Sequence, residues 1–309
     1  RSQPTMSRAA RGAASPRLEE AFLRSVNRAL LSWFAESARP LKIRERSDPY
    51  GVLVSEVMAQ QTQIARVDQL ATAFLERFPT LQSLAEAETA DVLVAWKGLG
   101  YNRRALALQR AAAQAVESGG LPTTVAGLLE LPGVGPYTAR AVAAIAFGGR
   151  EIPVDVNIAR LVARLSGATE LLPPREAQER ADEFGALLGD GEAGTWAQAA
   201  MDLASSSCRA RAPLCGGCPL RALCPSAGAT FATPKRGGDS RLPFAKTVRW
   251  LRGRLLDELR DAGRAGVEVI GSRGEHDEAS VAATISTMVA EGLAESLGDG
   301  RYRLPHRGD

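Results

Sequence analysis

Four cysteines, Cys208, Cys215, Cys218 and Cys224, are the whole thiol complement of this 309-residue chain, and the gaps between them are six, two and five residues. Thiols meant for disulfides would be scattered through a chain this long, whereas four soft ligands on one short loop can close around a single metal centre. Ligand type alone leaves a structural zinc ion and an iron-sulfur centre both open. A second string able to do chemistry lies upstream, Leu131-Pro132-Gly133-Val134-Gly135-Pro136-Tyr137-Thr138. Its two glycines let the backbone turn closely and direct free amides outward, and the helix that starts after it adds an N-terminal dipole. Together these hold a phosphate oxygen without reading base sequence. An ordinary glycine-proline connection between helices is the plain alternative for such a string taken alone.

Both strings need a scaffold, and its pattern is helical. Ala and Leu dominate and alternating β-branched runs are scarce. Helical periodicity marks nine stretches, 18–34, 52–78, 81–95, 104–117, 124–131, 138–147, 156–165, 174–188 and 193–204, joined by short turns bearing Gly and Pro. They form one helical body over 18–225. Residues 1–17 read as a flexible basic tail and 226–243, rich in Gly, Ala, Thr, Ser and Pro, as a linker. In 244–309, Leu251, Leu255 and Leu259 mark one helix, Ile285, Met288, Val289 and Leu293 another, and Asp299-Gly300 a turn. Helices followed by a Gly-turned hairpin make a small α+β, winged-helix-like module.

The formal net charge is only +3, yet residues 1–44 hold nine Arg or Lys against three Glu, and 208–249 hold eight against one Asp. Two basic segments in a near-neutral chain point to a polyanionic partner, with solvated positive faces as the plain alternative. The longest apolar candidate, 139–147, is too short to span a bilayer, so no membrane role is expected. The missing export signal and the metal duty of the thiols imply cytoplasmic residence, associated with the nucleoid, and a monomer is expected.

With three further strings, a family resemblance emerges. Asp48-Pro49-Tyr50 leads into Val54-Ser55-Glu56-Val57-Met58-Ala59-Gln60-Gln61-Thr62-Gln63; Gly98-Leu99-Gly100-Tyr101-Asn102-Arg103 and Val154-Asp155-Val156-Asn157 follow. In this order, together with the 131–138 hairpin and the cysteine gaps, they resemble the MutY branch of the endonuclease III superfamily of helix-hairpin-helix DNA glycosylases, over roughly 23–224. The resemblance implies an all-α, two-lobed fold, with a six-helix lobe over about 48–154 and a cluster lobe from 18–47 and 155–225. It also implies a 4Fe-4S cluster on Cys208, Cys215, Cys218 and Cys224, stapling a loop whose Arg209 and Arg211 face DNA phosphate. Gly133, Val134, Gly135 and Thr138 would grip the backbone, while Gln61 and Tyr101 wedge into the duplex beside an extruded nucleotide.

The chemistry gives the carboxylates separate tasks. Depurination requires a neutralised leaving base and a counter-charge for the developing oxocarbenium ion. By resemblance Glu56, among apolar neighbours, protonates adenine at N7, and Asp155 stays ionised beneath the sugar, with Tyr137 and Asn157 positioning groups around it. Tyr137 stands where the lyase branch has a Schiff-base lysine, which implies a monofunctional glycosylase. Taken singly, a helical Glu is usually a solvated charge and an Asp before a helix usually a cap.

Two departures qualify the resemblance. The usual Leu-Pro-Trp-Arg appears as Leu41-Lys42-Ile43-Arg44, which removes an aromatic surface from the base pocket, and residues from Pro225 onward do not match the Nudix-like domain that reads 8-oxoguanine in MutY enzymes. The implied partner is duplex DNA carrying a mismatch or an oxidised guanine, and the implied reaction is excision of adenine opposite 8-oxoguanine or guanine. Two alternatives stand beside it. One is a glycosylase for thymine or uracil opposite guanine, against which Glu56 argues because N7 protonation is a purine device. The other is a non-catalytic iron-sulfur DNA-binding regulator, which retention of both carboxylates disfavours.

Overall fold

The structure is a computed structural model and describes residues 17–229, 231 and 242–306. Its helices are, in chain order, α1 (Glu20–Ser37), α2 (Pro49–Ala59), α3 (Ile64–Arg77), α4 (Leu81–Glu86), α5 (Thr89–Ala95), α6 (Arg103–Glu117), α7 (Val125–Leu129), α8 (Pro136–Ala146), α9 (Val156–Leu165), α10 (Pro174–Gly185) and α11 (Glu192–Ser206). Side-chain caps set several starts. Asp48 accepts the Gly51 amide with Pro49 in the first turn of α2, Thr80 and Ser83 cap α4 reciprocally, and Asp155 accepts two amides at the head of α9.

Two stretches expected as single helices are each two. The 52–78 stretch breaks between α2 and α3, and 81–95 breaks between α4 and α5. Neither break carries a Gly or Pro. At the first, carbonyls of Val57, Met58 and Gln60 accept from the Arg104 guanidinium at 2.8, 3.0 and 2.6 Å. At the second, Gln109 Nε2 donates to the Ala87 carbonyl at 2.8 Å. A side chain from α6 supplies the donors that continuing helix would have supplied.

The helices bury two cores. One gathers Leu53, Met58, Phe74, Trp96 and Leu108, and the other Leu30, Leu161, Phe184 and Trp196. Helix α8 belongs to both, giving Val142 and Ala143 to the first and Ala144 to the second. The hairpin that precedes it therefore sits at the junction of the two lobes.

The C-terminal module consists of α12 (Val248–Ala262), β1 (Val267–Glu268), α13 (Glu278–Ala290), β2 (Glu295–Gly298) and β3 (Arg301–Arg303), with an antiparallel sheet ordered β1-β3-β2. Asp299 and Gly300, both at positive φ, turn the hairpin between β2 and β3. Strand β1 is an addition to the sequence expectation. The module also packs on the first lobe: Leu251, Leu255, Leu256 and Leu259 are continuous with that core, and Arg260 donates to the Leu93 carbonyl at 2.9 Å. Most of the expected linker, and all but the last residue of the expected basic tail, lie outside the described residues. Among the described residues no helix is long and apolar enough to cross a membrane.

Candidate active site

Where the lobes meet, a cleft of about 460 Å³ is lined by Glu56, Tyr137, Asp155 and Asn157 together with Gln60 and Gln198. Glu56 projects from α2, Tyr137 from the first turn of α8, and Asp155 caps α9. Residues separated by about a hundred positions in sequence thus share one cavity. Burial pushes the Glu56 carboxyl up to about 7; the Tyr137 hydroxyl beside it and Arg44 oppose that rise, and the negative Asp155 adds to it. Tyr137 is itself raised far above the usual phenol range, first by burial and then by the two neighbouring carboxylates, so its hydroxyl is a neutral donor.

Asp155 is both cap and site residue. One oxygen accepts the Asn157 and Ile158 amides at 2.9 and 2.8 Å, and the other accepts Asn157 Nδ2 at 2.6 Å. Asn157 Oδ1 in turn accepts from Arg160 at 3.1 Å, and Arg160 donates to the Cys208 carbonyl at 2.8 Å. A hydrogen-bonded chain therefore runs from the carboxylate to the cysteine loop.

The cleft wall holds a cluster that sequence reasoning missed. Asp202, 2% exposed, accepts both guanidinium nitrogens of Arg44 at 2.9 and 2.8 Å and Arg39 Nε at 2.7 Å. Burial alone would raise the Asp202 carboxyl, but the two arginines hold it below the usual carboxylate range. This fixes the segment carrying Ile43, which lines the cleft where the family pattern has tryptophan. The partners lie 158 residues apart, and no local signal connects them.

At the rim, Gln61 and Tyr101 face a second, contiguous cleft with Arg103, Arg104 and Arg252. Both carry positive φ, 57° and 47°. Arg104 joins the two turns: beyond its bonds to the end of α2, its Nη2 donates to the carbonyls of Leu99 and Gly100 at 3.0 and 3.1 Å. The sequence segment singled out as 98–103 stops one residue short of this hub.

In the hairpin, Gly133 has φ 78° and a Cβ there would come within 2.7 Å of Ala107 Cβ, so only glycine fits. Gly133 is exposed and the amides of Gly133 and Gly135 have no backbone partner among the described residues, whereas the Val134 amide donates to the Leu131 carbonyl at 3.1 Å. Thr138 is 2% exposed and its hydroxyl accepts from Gln60 Nε2 at 3.1 Å. Its side chain braces the wall near Gln61 instead of reaching outward, so only its backbone is placed for the expected DNA contact.

Cys208, Cys215, Cys218 and Cys224 line one cavity beside Arg164, whose Nη1 lies 3.1 Å from Cys208 Sγ. Among the described residues no three His, Cys, Asp or Glu side chains are gathered as for one metal ion. Four half-buried thiols on one loop, with a guanidinium against one sulfur, are a donor set suited to thiolates bound to a larger centre. Arg209 and Arg211 are exposed on this loop, with Arg209 Nε bonded to the Ser206 carbonyl at 3.0 Å.

A two-lobed helical body with this hairpin between its lobes and paired carboxylates at their junction defines a base-excision DNA glycosylase, and residues 54–186 match the family described as HhH-GPD superfamily base excision DNA repair protein. The adenine DNA glycosylase of Mycolicibacterium smegmatis is 38% identical over 290 residues, 91% of this chain and 96% of that protein, and the Homo sapiens adenine DNA glycosylase is 39% identical over 210 residues, 63% of this chain and 38% of that one. The chain belongs to the adenine DNA glycosylase family, and it is a DNA N-glycosylase. A thermostable thymine-DNA glycosylase shares the fold with a TM-score of 0.60 and 24% identity, covering 66% of this chain and 95% of that one; for endonuclease III in a non-covalent DNA complex the values are 0.57, 22%, 68% and 97%. The likeness to the bacterial relative is too long to stop before the C-terminal module.

Proposed function

We propose that the chain excises adenine mispaired with 8-oxoguanine or guanine in duplex DNA and leaves an intact abasic site. The observation that carries this reading is the meeting, in one cleft, of a carboxyl that holds its proton to about pH 7 with a second carboxylate fixed by three donors. Glu56 gives its proton to N7 of the extruded adenine. The bond between N9 and C1′ then breaks with its electron pair moving to the base, and Asp155 balances the oxocarbenium charge on the sugar. Water adds at C1′ and returns a proton to Glu56. Among the described residues no lysine lines the cleft, so opening of the sugar by a Schiff base has no amine from them there. Gln61, Tyr101 and the hairpin amides face the duplex, and Arg209 and Arg211 reach its phosphates. The relatives' shared name and the purine-specific acid support adenine over thymine or uracil.

Cys208, Cys215, Cys218 and Cys224 would hold a 4Fe-4S cluster. When bound, it ties the loop together and takes no part in bond cleavage. The chain's own residues then carry that order inward through Arg160 and Asn157 to Asp155. The work place implied is the nucleoid.

The experiment is a panel of duplexes containing A:8-oxoguanine, A:G, T:G and U:G, treated with hot alkali after incubation with wild-type protein, Glu56→Gln or Asp155→Asn. Abasic product from the two adenine duplexes alone, lost in both variants, is expected. Product from T:G or U:G would shift the substrate, strand scission before alkali would restore a lyase, and no product anywhere would leave a DNA-binding regulator. A brown protein absorbing in the visible thiolate-to-iron band is expected, where a zinc protein is colourless.

A further inference from the structure

Tyr101 is held more firmly than its exposure would suggest. Its backbone sits at φ 47°, a region that few residues other than glycine adopt, and the residue is 40% exposed. An aromatic ring so placed ordinarily samples several rotamers. Here it lies against two guanidiniums. That of Arg249 is 4.3 Å from the ring centroid, with Nη1 donating to the phenol oxygen at 3.0 Å, and that of Arg104 is 5.6 Å from the same centroid. Arg249 comes from the first turn of α12, 148 residues away in the C-terminal module.

The module holds the same turn from a second point. Arg260, near the other end of α12, donates to Oδ1 of Asn102 at 3.1 Å, the residue after Tyr101. Between these two arginines, the buried leucines of α12 fix the helix on the lobe. Neither Arg104 nor Arg249 has an ion-pair partner among the described residues, and two cations over one ring repel each other. An anion beside them relieves that repulsion; at the same rim Arg103 and Arg252 already share the Glu291 carboxylate, 3.7 Å from Arg103, whereas Arg104 and Arg249 pair with no carboxylate among the described residues. A DNA backbone supplies such an anion, so the stack is best satisfied when duplex occupies the rim.

We propose that Arg249 is a positioning residue of the glycosylase: through it the C-terminal module fixes the Tyr101 ring in the orientation that fills the duplex beside the extruded base. The proposal rests on the reading of Tyr101 as a DNA-contacting wedge. Arg249 does not touch the reacting atoms, and its influence passes through the ring it holds. A planar guanidinium is needed, because it both stacks on the ring and donates to the hydroxyl.

The test is base extrusion, read by 2-aminopurine fluorescence in place of the target adenine, with single-turnover excision on the adenine duplex, for Arg249→Ala, Arg249→Lys, Tyr101→Ala and the double variant Arg249→Ala with Tyr101→Ala. Arg249→Ala is expected to reduce both readouts about twofold to fivefold, in line with a cation-aromatic contact at a protein surface. The melting temperature should be unchanged, since Arg249 is exposed. Arg249→Lys should recover only part of the loss, and in the Tyr101→Ala background the Arg249 substitution should add nothing. An equal loss in both backgrounds would overturn the proposal in favour of a direct phosphate contact. An unaffected Arg249→Ala beside a damaged Tyr101→Ala would overturn the positioning role alone, while an unaffected Tyr101→Ala would sink the wedge assignment and the proposal together.

Discussion

Burial lifts the Glu56 carboxyl from an ordinary 4.5 to about 7, so the folded chain holds a proton that the unfolded chain gives up earlier. The sign follows from linkage. Below the unfolded value both states are protonated and the site costs nothing; as pH rises towards 7 the folded state loses stability relative to the unfolded one, and above that the cost is constant. At about 1.4 kcal/mol per pKa unit the full cost is on the order of 3 kcal/mol. Glu56→Gln, neutral at every pH, is therefore expected to raise the melting temperature at pH 8 and leave it unchanged at pH 4, while abolishing excision. An identical shift at both pH values would show that the gain comes from packing. The carboxylate pair itself was readable from sequence, because both residues lie in short motifs. Ile43 was also readable as a departure, but its support by Arg44, Arg39 and Asp202 was not, since ion pairs between distant segments leave no periodicity.

At the scale of elements, Arg104 decides where α2 ends. It satisfies carbonyls of Val57, Met58 and Gln60 on one side and of Leu99 and Gly100 on the other, so one side chain sets the two turns that carry Gln61 and Tyr101. Hydrogen bonds from a charged donor contribute roughly 1.5–3 kcal/mol, and the buried carbonyls left behind would be costly. Arg104→Ala is expected to destabilise the protein by about 3 kcal/mol in chemical denaturation and to weaken duplex binding by at least about tenfold. A stability within about 0.5 kcal/mol of wild type would place the break in local sequence instead. The same residue explains why the helical pattern over 52–78 read as continuous: Gln60-Gln61-Thr62-Gln63 is polar but carries no Gly or Pro to mark a stop, and what interrupts the helix arrives from α6. The starts expected at 81 and 156 are those of α4 and α9, where Thr80 and Asp155 cap from within their own segments, whereas α2 begins at Pro49, three residues before the expected 52. For Thr138 the sequence places the residue in the hairpin string but does not show that its hydroxyl faces Gln60.

For the whole molecule, composition and spacing separated a helical body from a small C-terminal module, and the hairpin and cysteine gaps placed the body in its family. What they left out was that the module shares the first lobe's core. The heptad-like leucines of α12 announce an amphipathic helix, but nothing in their spacing says what they cover. Fully burying a leucine contributes about 1.5–3 kcal/mol. Truncation after residue 243 would uncover the lobe surface now under Leu251, Leu255, Leu256 and Leu259. The shortened protein is expected to melt well below the full chain and to bind a hydrophobic dye; equal melting temperatures would mean that the two parts are independent. The proposed excision chemistry, by contrast, belongs to the junction of the two larger lobes. The most direct measurement is the single-turnover rate on an A:8-oxoguanine duplex between pH 5 and 9, for wild type and for Glu56→Gln. A rate that falls as pH passes about 7, with no measurable excision by Glu56→Gln, is the expected result. A rate flat across that range, or substantial excision by Glu56→Gln, would contradict Glu56 as the proton donor.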